Sequence, residues 1–200
     1  MGKPCIEPET TVAPELRSPN VNSNADLRGE DFSKWDLAGA IYNECLTDGA
    51  NFSGANLTRA SVCGSDRFPG QFTNVNAAGA NLTRADLAYA NVRGTNFQGA
   101  NLSHIDFTEA VLEDCDFRGA DLTGADFTNA GVSGAKLTFE QLLPARGVTT
   151  LDELDDEFYA ALGAQITVSE DRFYECARAA ADEYLTLQQL IDRANHEGVQ

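Results

Sequence analysis

Large apolar residues return at every fifth position of this chain, from Leu27 onward. The clearest stretch, starting at Ala80, reads A-N-L-T-R, A-D-L-A-Y, A-N-V-R-G, T-N-F-Q-G, A-N-L-S-H. Written in fives from Ala25, the register runs for 23 units, through Ala135–Phe139. The first position is Ala in 14 of the 23 units and the second is Asp or Asn in 16, while the third is mostly Leu, Phe or Val. A helix would set successive fifth residues about 140° apart and smear Leu82, Leu87, Val92 and Phe97 around its axis. A strand would send them to alternate faces. Either way half of the large apolar side chains would face water.

A chain that turns a corner every five residues avoids this. Every third-position side chain then points inward, four sides close a rung, and the next rung stacks on it at roughly strand spacing, ~4.8 Å. The first position also faces the crowded interior. Only small side chains fit there, hence Ala, and hence Cys45 and Cys115 at the same position. Asn, Asp and Gly suit the corners, because they tolerate unusual backbone angles and bond locally. Residues twenty apart are expected to stack: Phe32, Phe52 and Phe72; Leu82, Leu102 and Leu122; Phe97 over Phe117.

One stretch departs from the pattern. The units Ser65–Pro69 and Val75–Gly79 place Arg67 and Ala77 at the large apolar position. An inward arginine would be a buried unpaired charge. Asp66, Arg67, Phe68 and Pro69 therefore read as a projecting loop or an in-rung bulge, with Pro69-Gly70 as turn chemistry. Such a loop can carry partner contacts or be an irregularity of no consequence.

The consensus A-(D/N)-L-X-X resembles the pentapeptide-repeat family over 115 of the 200 residues. The resemblance implies a mostly β fold, a right-handed quadrilateral parallel β-helix of about six rungs at strand spacing. Three regions are expected: residues 1–24 as a disordered leader, 25–139 as the β-helix, and 140–200 as an α-helical cap. The leader holds four of the six prolines and has no periodicity. A solenoid end exposes its core and needs a cover, a task for Trp35 or the leader at the N-terminal end.

Beyond the repeat, Leu137–Gly147 reads as a short capping helix. Thr150 to Leu162 reads as a second helix, with Thr150 as N-cap and Gly163 as stop. A long third helix is expected from Ser169 to about Asn195. Its apolar residues Phe173, Ala177, Ala180, Tyr184, Leu187, Ile191 and Ala194 follow heptad spacing. That seam fits either the rod end or a second chain, and the resemblance implies C-terminal homodimers in many relatives.

Charge changes the picture more than composition does. The chain carries 31 acidic and 14 basic residues, a net −17. It is expected to bind neither nucleic acid nor anionic membrane directly, and to attract basic partner surfaces. The acid is densest after residue 139. Within the repeat, Asp86, Asp106 and Asp126 fall on one side in consecutive rungs. Asp66 extends that stripe if the Arg67 segment stays in the coil, and Glu109 adds to it.

The five cysteines are scattered without a C-x-x-C pair. Free thiols and the lack of a signal-peptide pattern point to a reducing, cytoplasmic setting. The only histidines are His104 and His196. Neither joins a plausible triad, and no phosphate loop, metal-ligand cluster or nucleophile elbow is present. No catalytic residue, metal or cofactor is expected. Two functions stay open. One is a non-enzymatic acidic scaffold that binds an unknown protein through its rod surface or helical tail. The other, implied by the resemblance to fluoroquinolone-resistance members, is a DNA mimic that binds DNA gyrase or a related type II topoisomerase.

Overall fold

The computed structural model describes residues 25–42, 44–63, 69–148, 164, 173 and 186–197. The third-position side chains form its axis. Leu37, Leu57, Leu82, Leu102, Phe97, Phe107, Phe117 and Phe127 are all buried, and the first-position alanines are buried beside them except Ala25 and Ala135, which are partly buried. Each five-residue unit contributes one bridge residue and one corner. The bridges are parallel and join residues twenty apart, as in Asp86 with Asp106 and Asp106 with Asp126. Four units thus complete each turn of the coil. Among the described residues the β-pairing takes the form of isolated bridges rather than extended strands.

The corner is a four-residue turn closed by a bond such as Ala85 N–H to Leu82 C=O, 2.9 Å. Its third residue, the fifth of each unit, has positive φ, whether it is Gly79 at 65° or Arg84 at 58°. Turns of this kind favour Gly or Asn at that point. Arginine, histidine and glutamate are held there because the corner N–H is tied to the next rung, as in Arg84 N–H to Ser103 C=O, 3.0 Å.

The second-position Asn and Asp are therefore not corner residues, contrary to the sequence expectation. They occupy the straight part of each side and brace the coming turn. Asp106 Oδ1 accepts the backbone N–H of Thr108 at 2.9 Å, and Asn101 Oδ1 accepts that of Ser103 at 3.0 Å. The carboxylate or amide is chosen for this local bond, which leaves the fifth position to set the backbone angle.

The register changes once. Before the interruption, stacked partners are twenty residues apart, as in Ile41 with Ser61. Across it they are twenty-five apart, as in Asn51 with Asn76 and Ser61 with Asp86. The spacing between stacked partners is thus one unit longer across the interruption, where the projecting-loop and in-rung-bulge readings of Asp66–Pro69 both lie. Pro69 is described; Asp66, Arg67 and Phe68 lie outside the described residues. The neck is tight at Gly70, where a Cβ would stand 1.6 Å from the carbonyl oxygen of Val62.

The shift also reassigns the aromatic ladder. Phe32 stacks on Phe52 at 5.0 Å, and Phe97 on Phe117 at 5.2 Å. Phe72 stacks on Phe52 at 5.6 Å, but it reaches over from the neighbouring side. It fills the room left by Ala77, which is the residue in register below Phe52. Ala77 is fully buried and breaks nothing. Thr47, a polar residue at an apolar position, is also fully buried and donates to Gln71 C=O at 2.7 Å.

The two ends are closed differently. Trp35 stands edge-on to Phe32 at the first turn of the coil, ring centroids 5.6 Å apart. At the other end comes α1 (Phe139–Leu142), N-capped by Thr138 with Gln141 completing a capping box. Gln141 Nε2 also donates to the carbonyls of Phe117 and Ala120, at 2.8 and 3.0 Å. The Phe117 carbonyl also accepts the Ala120 N–H at 2.9 Å, so the bond to the Ala120 carbonyl is the one that serves an otherwise open acceptor at the end of the coil. Arg146 adds one further parallel bridge, to Asp126, and an antiparallel one to Thr186.

Helix α2 (Leu187–Glu197) follows. Its start corrects the expectation of one helix from Ser169 to Asn195. Thr186 is a cap: its Oγ1 accepts from Gln189 N–H at 3.3 Å, while Gln189 Oε1 accepts from Thr186 N–H at 2.8 Å. The chain is extended there and bonded to the segment after α1, with Leu187 N–H donating to Ala145 C=O at 2.9 Å. Heptad spacing carries across that break without a continuous helix beneath it. The expected helix over Thr150–Leu162 lies outside the described residues, as do Ala177, Ala180 and Tyr184.

Candidate functional site

The lattice turns the surface into columns. The second side carries Asp31, Asn51, Asn76, Asn96, Asp116 and Lys136, and the third Asp36, Asn56, Asn81, Asn101 and Asp121. The fourth carries Ile41, Ser61, Asp86, Asp106, Asp126 and Arg146. Asp86, Asp106 and Asp126 therefore do form a ladder of successive bridges. The bridge before Asp86 runs from Ser61, so no place in the ladder falls to Asp66, which lies outside the described residues.

The second and fourth sides use the same lattice position in opposite ways. On the second side the amides link the rungs: Asn51 Nδ2 donates to Asp31 Oδ1 at 3.0 Å, and Asn76 Nδ2 to Asn51 Oδ1 at 3.1 Å. An amide carries both donor and acceptor, so the chain of bonds continues until it ends on Asp31. On the fourth side, among the described residues, each carboxylate bonds only to its own turn. Asp86 Oδ1 accepts from Ala88 N–H, and Asp126 Oδ1 from Thr128 N–H and Oγ1–H. Ionised carboxylates have no donor to offer one another, and like charges on stacked rungs repel. Glu109 stands exposed at the corner just past this ladder.

Three aspartates with arginine, amide or hydroxyl partners are held below the ordinary carboxylate range. Arg28 beside Asp26, Nη2 to Oδ2 at 2.8 Å, brings the Asp26 carboxyl down to about 2. Arg118 does the same for Asp116, aided by Gln98 Nε2 at 2.7 Å, and holds its carboxyl far below the usual range. Asn74 and Thr73 lower Asp48. The described ion pairs, Arg28–Asp26, Arg93–Glu113 and Arg118–Asp116, all lie on the first and second sides.

A column that sequence reading left as scattered arginines also emerges. Arg59, Arg84 and His104 occupy successive rungs of the corner between the third and fourth sides, all exposed. The His104 ring lies over Gly124, where a Cβ would come within 2.6 Å of its Nδ1. The available signal was the fifth-position spacing, twenty from Arg84 to His104. It was hidden between Arg59 and Arg84 by the change of spacing to twenty-five.

The helix seam is spent on the solenoid itself as far as it is described. Phe173, Leu187, Ile191 and Ala194 are buried in the same cluster as the repeat core. Among the described residues no three His, Cys, Asp or Glu side chains converge as a metal site. No described helix is long and apolar enough to cross a membrane.

The pentapeptide-repeat model matches residues 31–66, 71–103 and 105–138 in eight copies, more than half of the chain. The chain belongs to the pentapeptide-repeat family. The fold of this family is the right-handed quadrilateral β-helix, to which the α2 helix is added here. Pentapeptide-repeat proteins are generally structural or interaction scaffolds rather than enzymes.

Among solved members of the family, HetL, involved in heterocyst differentiation regulation in the cyanobacterium Nostoc sp. strain PCC 7120, is 26% identical. That match covers 62% of this chain and 57% of HetL, with a TM-score of 0.36. QnrB1, a plasmid-mediated fluoroquinolone resistance protein, is 19% identical over 69% of this chain and 85% of its own, with a TM-score of 0.31. A pentapeptide-repeat protein of the Arabidopsis thaliana thylakoid lumen is 30% identical over 66% of this chain and 79% of its own, with a TM-score of 0.21. No curated protein matches the sequence.

Proposed function

We propose that this chain is a non-enzymatic acidic scaffold that acts in the cytoplasm as a rod of about six rungs, roughly 27 Å long at strand spacing. It binds a protein partner through the fourth side, where Asp86, Asp106, Asp126 and Glu109 meet a basic strip. The observation that carries this reading is the contrast between columns. The Asp ladder gives up the rung-to-rung bonds that Asn makes on the second side, so its charges are not explained by stability. Association of this kind gains on-rate and specificity from charge, and weakens as salt rises.

The test is affinity capture with full-length protein, compared with the D86N/D106N/D126N variant. Proteins retained by the first and lost by the second support the fourth side. Identical retention by both, with both folded, removes it in favour of the helical tail.

A second reading draws on the same one-sided run of carboxylates: a DNA-like binder of DNA gyrase or another type II topoisomerase. Arg59 and Arg84 beside the ladder count against it, since a DNA-binding channel is itself basic. A supercoiling assay with the purified full chain decides. Absence of both inhibition and binding at low salt ends this reading.

A further inference from the structure

Arg59 and Arg84 are exposed on consecutive rungs, and neither side chain makes an ion pair or hydrogen bond among the described residues. Two residues further along the chain from each stand Ser61 and Asp86, and from His104, Asp106. At extended spacing that is roughly 6.6 Å. Two columns of opposite character thus run side by side at matching heights: Arg59, Arg84, His104, and next to them Ser61, Asp86, Asp106. The described ion pairs lie on the first and second sides and involve neither column.

Resting on the fourth-side reading proposed above, we infer that the protein partner is a second copy of this chain, docked on this edge with the two solenoids parallel and related by a twofold axis along their length. The charge pattern selects that geometry. A twofold contact places the same patch on both partners. Rotation about an axis parallel to the columns brings the basic column of one copy opposite the other column of its partner, rung for rung: Arg59 opposite Ser61, Arg84 opposite Asp86 and His104 opposite Asp106. Arg84 then faces Asp86 of the second copy, and the reverse pair forms by symmetry. A twofold axis across the columns would set arginine against arginine and aspartate against aspartate, which like-charge repulsion forbids. The edge is therefore self-complementary in one orientation only. It is separate from the helical tail, whose described apolar residues are already buried against the coil.

The net charge of −17 opposes association at long range. Screening removes the long-range part first, because the Debye length is ~8 Å near 0.15 M salt, whereas contact pairs survive until it falls to ~3 Å near 1 M. Dimer content should therefore be greatest at intermediate salt.

Sedimentation equilibrium of the full chain tests the inference. The wild type is expected to show a monomer–dimer equilibrium at intermediate salt that dissolves at high salt. R59E/R84E should weaken the dimer about tenfold or more, the loss of one decade of affinity or better. Glutamate is accommodated at equivalent positive-φ corners by Glu44 and Glu109, so the backbone is kept. D86K/D106K should weaken it likewise; Lys136 occupies the same lattice position. An equimolar mixture of the two folded variants should regain the dimer, because each then offers the charge the other lacks. If D86K/D106K does not fold, D86N/D106N takes its place, and loss of the dimer is the required result. A wild type monomeric at every salt, or a dimer unaffected by R59E/R84E, overturns the inference. A charge-swapped mixture that stays monomeric overturns it as well.

Discussion

The second and fourth sides of the coil share one backbone, one core and one lattice position, yet they differ in what joins rung to rung. The second side is stitched by Asn51, Asn76 and Asn96, with each amide reaching for the rung before it. The fourth side places Asp86, Asp106 and Asp126 at the same points, each bonded only to its own turn. The backbone bridges are the same on both. The lesson is that the coil does not need the side-chain stitching, so a column can be given to charge without loss of fold.

The most severe way to break this comparison is to remove what aligns the two columns. Gly70 pinches the loop neck against the Val62 carbonyl. Gly70→Ala forces backbone atoms apart, and a cost of about 3 kcal/mol or more is expected, at the top of the range for overpacking. Thermal or denaturant unfolding measures it. The core that both sides share comes next. Phe117 contacts the rings of Phe97, Phe107 and Phe127. Phe117→Ala should cost about 3–5 kcal/mol at most, and about half that if the neighbouring rings relax into the gap.

The sharpest test is a pair of reciprocal changes. Asn76→Asp removes the donor to Asn51 and adds a charge to a stitched column. It should destabilise by about 1 kcal/mol, the usual worth of one hydrogen bond. Asp106→Asn relieves repulsion in the fourth-side ladder and should stabilise by a few tenths of a kcal/mol, the small end of cross-strand pair energies. Opposite signs in matched denaturant melts uphold the contrast; equal signs dissolve it. Tyr42, at the top of the fourth side, supplies a finer probe. Its buried hydroxyl has no hydrogen-bond partner among the described residues, and burial pushes it up from the ordinary tyrosine range. Tyr42→Phe should therefore be neutral or slightly stabilising.

Acid gives a graded readout of the same division. The carboxyls of Asp26, Asp31, Asp48, Asp116 and Asp121 are held below the ordinary aspartate range by hydrogen bonds and, for Asp26 and Asp116, by arginine. A folded-state value below the unfolded one, about 3.9, stabilises the fold above that pH, and the contribution is lost as pH falls through the folded values. Melting temperature should drop from about pH 5 downward. The drop should be shallower in Asp116→Asn, which has already given up its share.

Much of this was legible in the sequence because the period of five is a direct imprint of the corner geometry. The core positions, the Phe97–Phe117 stack and the capping segment at Thr138 follow from it. The Asp86–Asp106–Asp126 ladder was legible too, since all three lie after the interruption. What could not be read was any relation across the loop. Five extra residues between stacked partners preserve the written register while they shift the spatial one, so Asp66 looks like a ladder member and Phe72 looks like a neighbour from the same side. The break at Thr186 was hidden for a similar reason. Apolar spacing of four and three continues through it, and only the reciprocal Thr186–Gln189 bonds announce a helix start. The arginine column was obscured by both effects, with its rungs unequally spaced and its members set among consensus-variable positions.

The positive-φ corners carry a consequence of their own. Glycine is the easy choice there, yet Lys34, Glu44, Arg59, Asn74, Arg84, Tyr89, His104, Glu109, Asp114 and Asn129 all occupy such corners. Each pays a modest conformational penalty that the bonds to the next rung absorb. A residue that can be acid, base, aromatic or amide without altering the coil is an interchangeable label on a fixed rack. Lineages can therefore rewrite whom such a solenoid recognises one corner at a time, while the scaffold beneath stays the same.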